Sequence, residues 1–389
     1  MHIALNGWFW DQPYTGSGQV IRHLLPALRR AKPDATWTLI VPGTTAPTDV
    51  PDGVRVVAAG GWQGNLAKVW FEQRLFPTAA GRAGADIAHV PYWGSPLASP
   101  IPLVVSVLDV IPLVMPEYAS GAGARLYTAL VSASARGANH ILTISAAARD
   151  DIVTHLGIPA SAITVTHLAA DERYHPRIGA DRDDAVRATY NLPETYILIG
   201  FGFDRRKRLD IALAAFAYVA QAEGDTVTLV IAGREPAYSE PIFPDLRALA
   251  RDLDISDSIR WIGAVDEADK PGVLRMASVF VFPSEYEGFG LPALEAMACG
   301  TPVIAADIPV MREIVEDGAF LVPPGDARKM GGAMLALLGQ DSLRQTLISR
   351  ALGRATAFTW RKTALATYAV YERVASESRS AGDAPVVSP

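Results

Sequence analysis

Residues 283–307 read PSEYEGFGLPALEAMACGTPVIAAD, and this stretch decides the fold of the chain. An apolar run, 277–282, precedes it, and a second apolar run, 302–306, lies within it. Runs of this kind are typical of buried strands. Pro292 fits the first turn of a helix, and Gly300 fits the residue that closes its last turn. The stretch therefore predicts a strand, a loop, a short helix and a second strand of an α/β domain.

Two carboxylates flank the Gly-Phe-Gly turn of this stretch, Glu287 before it and Glu295 within the helix. Gly288 and Gly290 carry no side chains, so backbone N–H groups at the start of the helix can approach an anion. Glu295 stands among apolar residues, where an ionised group needs a partner. These features favour a ligand with both hydroxyl and phosphate groups. The alternative is an ordinary loop in which one carboxylate pairs with a buried arginine.

A second candidate anion site follows the apolar run 196–202. Four cations in series, 205–208, precede a helix predicted over 209–222. Positive charge at a helix N-terminus is unfavourable, and a bound anion would relieve it. A solvated basic loop is the alternative. The strand-loop-helix setting favours the anion site.

Strands and helices alternate in the first half and predict a doubly wound parallel sheet. Gly16 and Gly18 lie in a loop between the first strand, 2–6, and a helix predicted over 19–30. Open α/β folds bind ligands at such loops, although most loops of this kind are only tight turns. Further strands are predicted at 37–41, 54–58, 87–90, 103–107, 139–145 and 163–168, with a helix at 67–76. Five tryptophans offer faces to a sugar or a lipid chain, or pack in the core: Trp8, Trp10, Trp62, Trp70 and Trp93.

Composition narrows the function. The 389 residues carry a net charge of −6, so there is no general basic field that would recruit nucleic acid. The single cysteine excludes an internal disulfide and a multi-cysteine zinc site, and it suits a reducing compartment. No signal peptide and no long apolar segment is evident, which predicts a cytoplasmic protein. Peripheral contact with the inner face of a membrane, through an apolar patch of the first half, stays open.

The string from Glu287 to Val303 resembles the E-x7-E signature of the retaining glycosyltransferases of family 4, the glycosyl transferases group 1. The resemblance implies the GT-B fold, an α/β architecture of two Rossmann-like doubly wound domains that face a central cleft. The domains expected are an acceptor-binding domain at 1–172, a linker at 173–192 and a donor-binding domain at 193–357. A helix at 358–375 is expected to return to the first domain, and a disordered tail is expected at 376–389.

The resemblance also implies roles for residues. Glu287 would bind the hydroxyls of the transferred sugar, Glu295 would bind the ribose, and Arg206 with Lys207 would hold the diphosphate. Other donor contacts are expected from Gly288, Phe289, Gly290 and Leu291, from Gly263 and Val265 at the base, and from Gly16 and Gly18. The implied reaction moves a sugar from a nucleotide-diphosphate donor to a saccharide, lipid-linked or small-molecule acceptor, with retention. Neither a metal nor another cofactor is expected.

One departure from the family pattern concerns the segment LVVSVLDVIP. Leu108 stands where many members have a histidine, and Asp109, an expected catalytic residue, follows it. Our hypothesis is that Leu108 accommodates a donor sugar with a less polar edge, such as a deoxy sugar or a pentose. The alternatives are a catalytically impaired partner of another transferase, or a nucleotide-sugar epimerase or phosphorylase on the same fold.

Overall fold

The chain forms two compact units in the computed structural model, which describes residues 1–61, 64–236 and 242–382. Unit 1 comprises Met1–Leu168 with Thr359–Pro389, and unit 2 comprises Ala169–Phe358. Each unit has one parallel sheet, and helices lie in most of the connections between successive strands. This architecture confirms the predicted α/β fold class with two Rossmann-like domains.

The sheet of unit 1 has the strand order β3-β2-β1-β4-β5-β6-β7. The order therefore reverses between β1 and β4, which are adjacent and parallel. Most strands are short, continuously buried apolar runs, as expected where helices cover both faces of a parallel sheet. The strands are β1 (His2–Asn6), β2 (Thr36–Val41), β3 (Val54–Ala58), β4 (Ile87–Val90), β5 (Leu103–Ser106), β6 (His140–Thr143) and β7 (Ile163–Val165).

The helices of unit 1 differ from prediction at two places. The first helix begins at Gly16, because Thr15 caps it by accepting a hydrogen bond from the Gly18 N–H at 3.0 Å. The single helix predicted over 67–76 is two helices joined by a π-helical turn, Phe71–Leu75. The helices are α1 (Gly16–Ala31), α2 (Asn65–Trp70), α3 (Phe76–Arg82), α4 (Ile111–Val114), α5 (Ala122–Arg136) and α6 (Ala146–Leu156).

Unit 2 repeats the topology with the strand order β10-β9-β8-β11-β12-β13, and its order reverses between β8 and β11. The strands are β8 (Tyr196–Gly200), β9 (Thr228–Ala232), β10 (Ile259–Gly263), β11 (Val279–Phe282), β12 (Val303–Ala306) and β13 (Phe320–Val322). The helices are α7 (Asp183–Thr189), α8 (Leu209–Glu223), α9 (Leu246–Asp252), α10 (Lys270–Arg275), α11 (Leu291–Ala298), α12 (Pro309–Val315), α13 (Ala327–Gly339) and α14 (Asp341–Ala355).

The last helix, α15 (Trp360–Gly382), belongs to unit 1 and packs along α1. Tyr371 on this helix hydrogen-bonds to the buried His89 of β4 at 2.6 Å. The other ring nitrogen of His89 lies 2.9 Å from the Ser106 hydroxyl. Burial lowers the pKa of His89 to about 3, so the ring is neutral at physiological pH and serves to fix the helix to the sheet.

Two predicted boundaries are corrected. The tail predicted from Ser376 is helical as far as Gly382, because α15 is anchored by the buried Tyr371 and Val374 and no helix breaker precedes Gly382. Residues 383–389 lie outside the described residues. The linker predicted at 173–192 contains α7 and belongs to unit 2. Asp183 of this segment is paired within unit 2, since it accepts from the Arg275 Nε at 2.8 Å, whereas several neighbouring charges are exposed.

Candidate active site

The candidate active site of unit 2 lies at the reversal of its strand order. The turn Arg205–Lys207 follows the carboxyl end of β8, and Glu287 lies in the loop after β11. These two strands are hydrogen-bonded neighbours. In open α/β sheets, ligands bind outside the carboxyl ends of the strands at this reversal point. The fold therefore brings together two motifs that are 80 residues apart in the chain.

Glu287 bridges the two cations. Its Oε1 lies 2.6 Å from the Lys207 Nζ, and its Oε2 lies 2.8 Å from the Arg206 Nη1. Each of the three side chains is 11% exposed. The backbones are also joined, because the Glu285 N–H donates to the Arg206 carbonyl at 3.0 Å. The alternative reading, a carboxylate paired with a buried arginine, is thus part of the arrangement.

The position of Lys207 depends on its neighbours in the sheet. Its ammonium lies 5.3 Å from the centre of the Phe282 ring, at the end of β11. Gly202 has φ +154°, and a Cβ on it would lie 2.9 Å from the Lys207 Cε. A side chain at position 202 would therefore crowd Lys207 and adopt an unfavourable φ, so glycine is favoured there.

The charge of Glu287 is fixed by its partners. Burial alone would raise its pKa, but Lys207 and Arg206 hold the pKa below its ordinary value of 4.5. The carboxylate is therefore ionised at neutral pH. Its favourable contribution to the free energy of unfolding is present at neutral pH and is lost only as the pH falls through this lowered pKa.

The expectation that a bound anion must balance the cations of the 205–208 series is corrected by their contacts. Arg208 is balanced within the chain, with its Nη1 2.9 Å from Glu285 and its Nη2 3.1 Å from Asp210. Arg206 also contacts Asp204 at 3.2 Å. The sequence analysis expected a bound anion to relieve the repulsion among these cations. Carboxylates of the chain itself relieve most of it. The Arg205 side chain remains exposed.

Glu295 lies on α11, eight residues after Glu287. The buried Tyr174 hydroxyl donates a hydrogen bond to its carboxyl group. Burial raises the pKa of Glu295 to about 8, Lys270 opposes this effect and Glu267 adds to it. The raised pKa favours the protonated form, in which the carboxyl group can both donate to and accept from a hydroxyl of a ligand.

The start of α11 has the backbone geometry that the glycines predict. Gly290, the residue before the helix, has φ +89°, a left-handed conformation that disfavours other residues. Leu291 begins the helix, and Gly288 and Phe289 are buried before it. The Phe289 ring packs edge-on against Phe358 at 5.9 Å. This packing fixes the loop that carries Glu287.

The predicted base contacts lie on the edge of the same sheet. Gly263 ends β10, with φ +69°, and Val265 follows in the next loop. Because β10 is two strands from β8, these residues lie roughly 10 Å from the reversal point, measured across the sheet. Apart from Glu295 inside α11, the predicted donor contacts of the second half therefore lie along one sheet edge or at the start of α11.

The predicted residues of the first half belong to unit 1. Leu108 and Asp109 follow β5, and the Asp109 Oδ1 accepts from the Ile111 N–H at 3.2 Å. Gly16 is exposed, whereas Gly18 is buried in the first turn of α1. A Cβ on Gly18 would lie 2.0 Å from the carbonyl oxygen of Gln12, so local packing already requires this glycine.

The tryptophans of unit 1 have different environments. Trp10 is buried, and its indole N–H donates to Asp49 at 2.9 Å. Trp70 is 46% exposed, and Trp8 and Trp93 are half-buried. Trp62 lies outside the described residues.

Two residues of the site were missed by the sequence analysis. Asp204 pairs with Arg206, and its place directly before the four cations is a signal that could have identified it. Tyr174 pairs with Glu295 from 121 residues earlier in the chain, and no local pattern marks it. In the part of the chain that the structure describes, no group of three or more His, Cys, Asp or Glu side chains is placed to hold a metal ion.

Two family descriptions match this chain. Residues 15–169 match the glycosyl transferase 4-like domain, and residues 184–354 match the glycosyl transferases group 1. A D-inositol 3-phosphate glycosyltransferase of Jonesia denitrificans is 30% identical over 84% of this chain and 82% of its own length. The chain belongs to the glycosyl transferases group 1 of family 4. It is a glycosyltransferase that uses a nucleotide-sugar donor.

Other relatives of this glycosyltransferase support the same family and fold. O-antigen chain mannosyltransferase B of Escherichia coli is 28% identical over 69% of this chain and 70% of its own length. Sucrose-phosphate synthase of Thermosynechococcus elongatus has a TM-score of 0.75 at 22% identity, covering 96% of this chain and 99% of its own. HepE of Anabaena, solved with UDP-glucose, has a TM-score of 0.70 at 18% identity, covering 98% of this chain and 100% of its own. These likenesses establish the GT-B fold.

Proposed function

We propose that this glycosyltransferase moves a sugar from a nucleoside-diphosphate sugar to a hydroxyl of a saccharide, lipid-linked or small-molecule acceptor, with retention of configuration. The bond between the anomeric carbon and the diphosphate oxygen breaks. The acceptor oxygen bonds to that carbon on the same face, and its proton passes to the oxygen of the departing diphosphate. The observation that carries the proposal is the bridge from Glu287 to Arg206 and Lys207 at the reversal point of the second sheet.

Each residue of the bridge has a proposed role. Lys207 and Arg206 stabilise the negative charge that grows on the departing diphosphate, and Glu287 accepts hydrogen bonds from the hydroxyls of the sugar. Glu295 holds the ribose, and the segment from Gly263 to Val265 faces the base. Arg206 and Lys207 supply positive charge at the leaving group, which supports a reaction without a metal ion.

The names of the relatives support this class of reaction. They include a mannosyltransferase of O-antigen chains, a phosphatidyl-myo-inositol mannosyltransferase and a D-inositol 3-phosphate glycosyltransferase. One structural neighbour was solved with UDP-glucose. All three names describe glycosyl transfer, and two of them contain an inositol compound, which supports a hydroxyl-rich acceptor for this chain. The UDP-glucose of the structural neighbour supports a sugar nucleotide as donor.

The donor is identified by thermal unfolding of the full chain with a panel of nucleotide sugars. We expect one nucleoside-diphosphate sugar to raise Tm by at least about 3 °C, with the same shift in EDTA.

The same panel tests the hypothesis about Leu108. We expect the wild type to prefer a deoxy sugar or pentose donor and Leu108→His to shift the preference to a hexose. Preference of the wild type for an ordinary hexose would reject the hypothesis about Leu108 alone.

Product analysis with that donor tests the reaction. The anomeric configuration of the product, read by NMR, is expected to match that of the donor. Interconversion of donors without an acceptor would identify an epimerase, and dependence on inorganic phosphate would identify a phosphorylase. Donor binding without any product over a broad acceptor panel would favour an impaired binding partner.

We also propose that the protein is cytoplasmic and makes peripheral contact with an anionic membrane surface. A groove of about 670 Å³ in unit 1 is lined by Arg55, Arg74 and Arg82, beside the half-exposed Trp70. Within the described ranges, these arginines have no ion-pair partner. No helix in those ranges has the length and apolar character needed to cross a bilayer. Contact would therefore be made at the surface of the membrane.

Vesicle flotation tests this contact. Arg74→Glu with Arg82→Glu is expected to lower the fraction bound to anionic vesicles at least about tenfold, because each reversed charge repels the surface. The control reverses Arg30 and Arg361, two exposed arginines of the same unit, and is expected to change binding less than about threefold. Equal loss in both double variants would contradict a specific role for the groove.

A further inference from the structure

The reversal point of unit 1 carries a buried polar cluster that the proposed mechanism does not use. Asn6 ends β1, and Tyr92 follows β4, the two strands between which the order reverses. The Asn6 Oδ1 accepts from the Trp8 N–H at 2.9 Å and from the Tyr92 hydroxyl at 3.3 Å. Its Nδ2 is buried and has no hydrogen-bond partner among the described residues. A buried donor thus lies at the edge where such sheets bind ligands.

Glu72 is the centre of this cluster. It lies in the π-helical turn Phe71–Leu75, and its side chain is 0% exposed. The Tyr127 hydroxyl lies 3.0 and 3.1 Å from its two oxygens, and the Lys68 Nζ lies 3.7 Å from Oε1. A buried carboxylate is costly without such partners. Turns of this π-helical kind are frequent at functional sites.

Lys68 is the charged member of the cluster that solvent reaches, beside the half-buried Tyr127. Its side chain is 24% exposed. Its ammonium lies 4.8 Å from the centre of the Tyr127 ring, 5.1 Å from Phe9 and 5.4 Å from Tyr92. Cation–π attraction from three rings holds the ammonium in place. The cluster therefore presents one fixed cation to a ligand, with its counter-charge buried behind it.

Glu72 is positioned by several elements. Tyr127 belongs to α5, Lys68 belongs to α2, and Gly94 lies in the loop after β4. A Cβ on Gly94 would lie 2.4 Å from the Glu72 Oε1, so this loop packs directly on the carboxylate. Tight packing from three sides leaves Glu72 little freedom to move away from Lys68.

The balance of charge in the Lys68–Glu72 cluster differs from that in the candidate active site of unit 2. There, the turn Arg205–Lys207 carries three cations, and Asp204 and Glu287 are the carboxylates that contact it. In unit 1, the single cation Lys68 is matched by the single carboxylate Glu72. An anion that approached Lys68 would also be repelled by Glu72, whereas a hydroxyl group can accept from the ammonium without this repulsion.

We infer that Glu72 sets the charge of the acceptor site in unit 1. In its ionised form Glu72 neutralises Lys68 and makes the site select a neutral, hydroxyl-bearing acceptor group, and its removal or protonation turns the same ammonium into a site for an anion. The assignment of this cluster to the acceptor rests on the transfer reaction proposed above. The effect of Glu72 on anion binding at Lys68 does not depend on that reaction.

The charge effect is tested with sulfate on the full chain. Acetylation of Lys68 by acetic anhydride is followed by peptide mass spectrometry, with about 50 mM sulfate or with chloride at equal ionic strength, near pH 8.5. Burial raises the pKa of Glu72 to about 7, so the Glu72 carboxyl group of the wild type is ionised at pH 8.5. Sulfate is expected to protect Lys68 at least about fivefold in Glu72→Gln and less than about 1.5-fold in the wild type.

The matched control is Glu372→Gln. Glu372 lies 3.9 Å from Lys32, whose ammonium lies 4.5 Å from the centre of the Tyr368 ring. Like the pair of Lys68 and Glu72, this is a lysine–glutamate pair beside a tyrosine, but it does not lie at the strand reversal. We expect sulfate to protect Lys32 less than about 1.5-fold in this variant. Equal protection of Lys68 in the wild type and in Glu72→Gln, or no protection in either, would overturn the inference.

Wild-type protein near pH 6 provides a second test if Glu72→Gln does not fold. Glu72 is then protonated, while Tyr92 and Tyr127, whose pKa values are raised by burial, stay neutral. Lys68, whose pKa burial lowers, holds its proton more firmly at this pH. Protection of Lys68 by sulfate is expected to rise at least about threefold between pH 8.5 and pH 6. A constant value would contradict the inference.

Transfer assays separate this inference from the proposed function. We expect Glu72→Gln to shift kcat/KM at least about tenfold towards a phosphorylated acceptor over its neutral parent. An unchanged ratio, with sulfate protection present, would overturn the assignment of the cluster to the acceptor. If the wild type glycosylates neither compound nor any other acceptor, the proposed function fails, and the sulfate result still decides the charge effect.

Discussion

Glu287→Gln is expected to lower kcat/KM for sugar transfer at least about 100-fold, the usual loss when one preorganised group is removed from a site that stabilises developing charge. The amide has the shape of the carboxylate but no charge, so it holds Lys207 and Arg206 less firmly. Lys207→Met is expected to have a similar effect, because the ammonium stabilises the departing diphosphate. Both variants should retain the fold, as judged by circular dichroism.

The matched control is Glu285→Gln. Glu285 lies two residues earlier in the same loop and pairs with Arg208 at 2.9 Å. This variant therefore removes one negative charge from the same loop but leaves the bridge of Glu287 intact. We expect a change in kcat/KM of less than about threefold. A comparable loss in both variants would mean that the charge balance of the loop matters and that the bridge to Lys207 has no special role.

Gly200→Ala is expected to destabilise unit 2 by about 3–5 kcal/mol, because backbone strain and a steric clash act together. Gly200 ends β8 with φ +133°, and a Cβ there would lie 2.0 Å from the carbonyl oxygen of Ala232 in β9. Two hydrogen-bonded strands would have to separate at the edge that carries the candidate active site. For a unit of this size, the loss corresponds to a fall in Tm of about 10 °C in thermal unfolding.

Gly332→Ala is the control for this substitution. Gly332 lies inside α13, and a Cβ on it would meet no heavy atom within 4 Å. Alanine is favoured over glycine in a helix, so we expect a gain in stability of about 0.5–1 kcal/mol. A loss of stability in Gly332→Ala, or a small effect of Gly200→Ala, would contradict the backbone geometry described for these positions.

Much of the fold could be predicted because strands and helices have local signatures. The apolar runs at 196–202 and 277–282 identify β8 and β11, and the motif around Glu287 and Glu295 identifies the family. The prediction that Arg206 and Lys207 work together with Glu287 came from the family resemblance, and the parallel sheet explains why the three side chains meet, since the carboxyl ends of its strands lie at one edge.

Other features depend on distant parts of the chain and could not be predicted. Arg208 appears as an unpaired charge in sequence, but Asp210 and Glu285 neutralise it. The segment that contains Asp183 reads as a charged linker, because its partner Arg275 follows 92 residues later. Glu72 reads as an ordinary helix residue, and only the folded structure brings Tyr127 to its carboxylate.

The central claim is that Arg206 and Lys207, held in place by Glu287, bind the donor diphosphate. Its most direct test is calorimetric titration of the wild type and Lys207→Met with UDP, GDP and ADP. We expect the wild type to bind one of the three and Lys207→Met to bind it at least about 30-fold more weakly, in line with the loss of a charge-assisted contact. Equal affinity in the two proteins would contradict the claim.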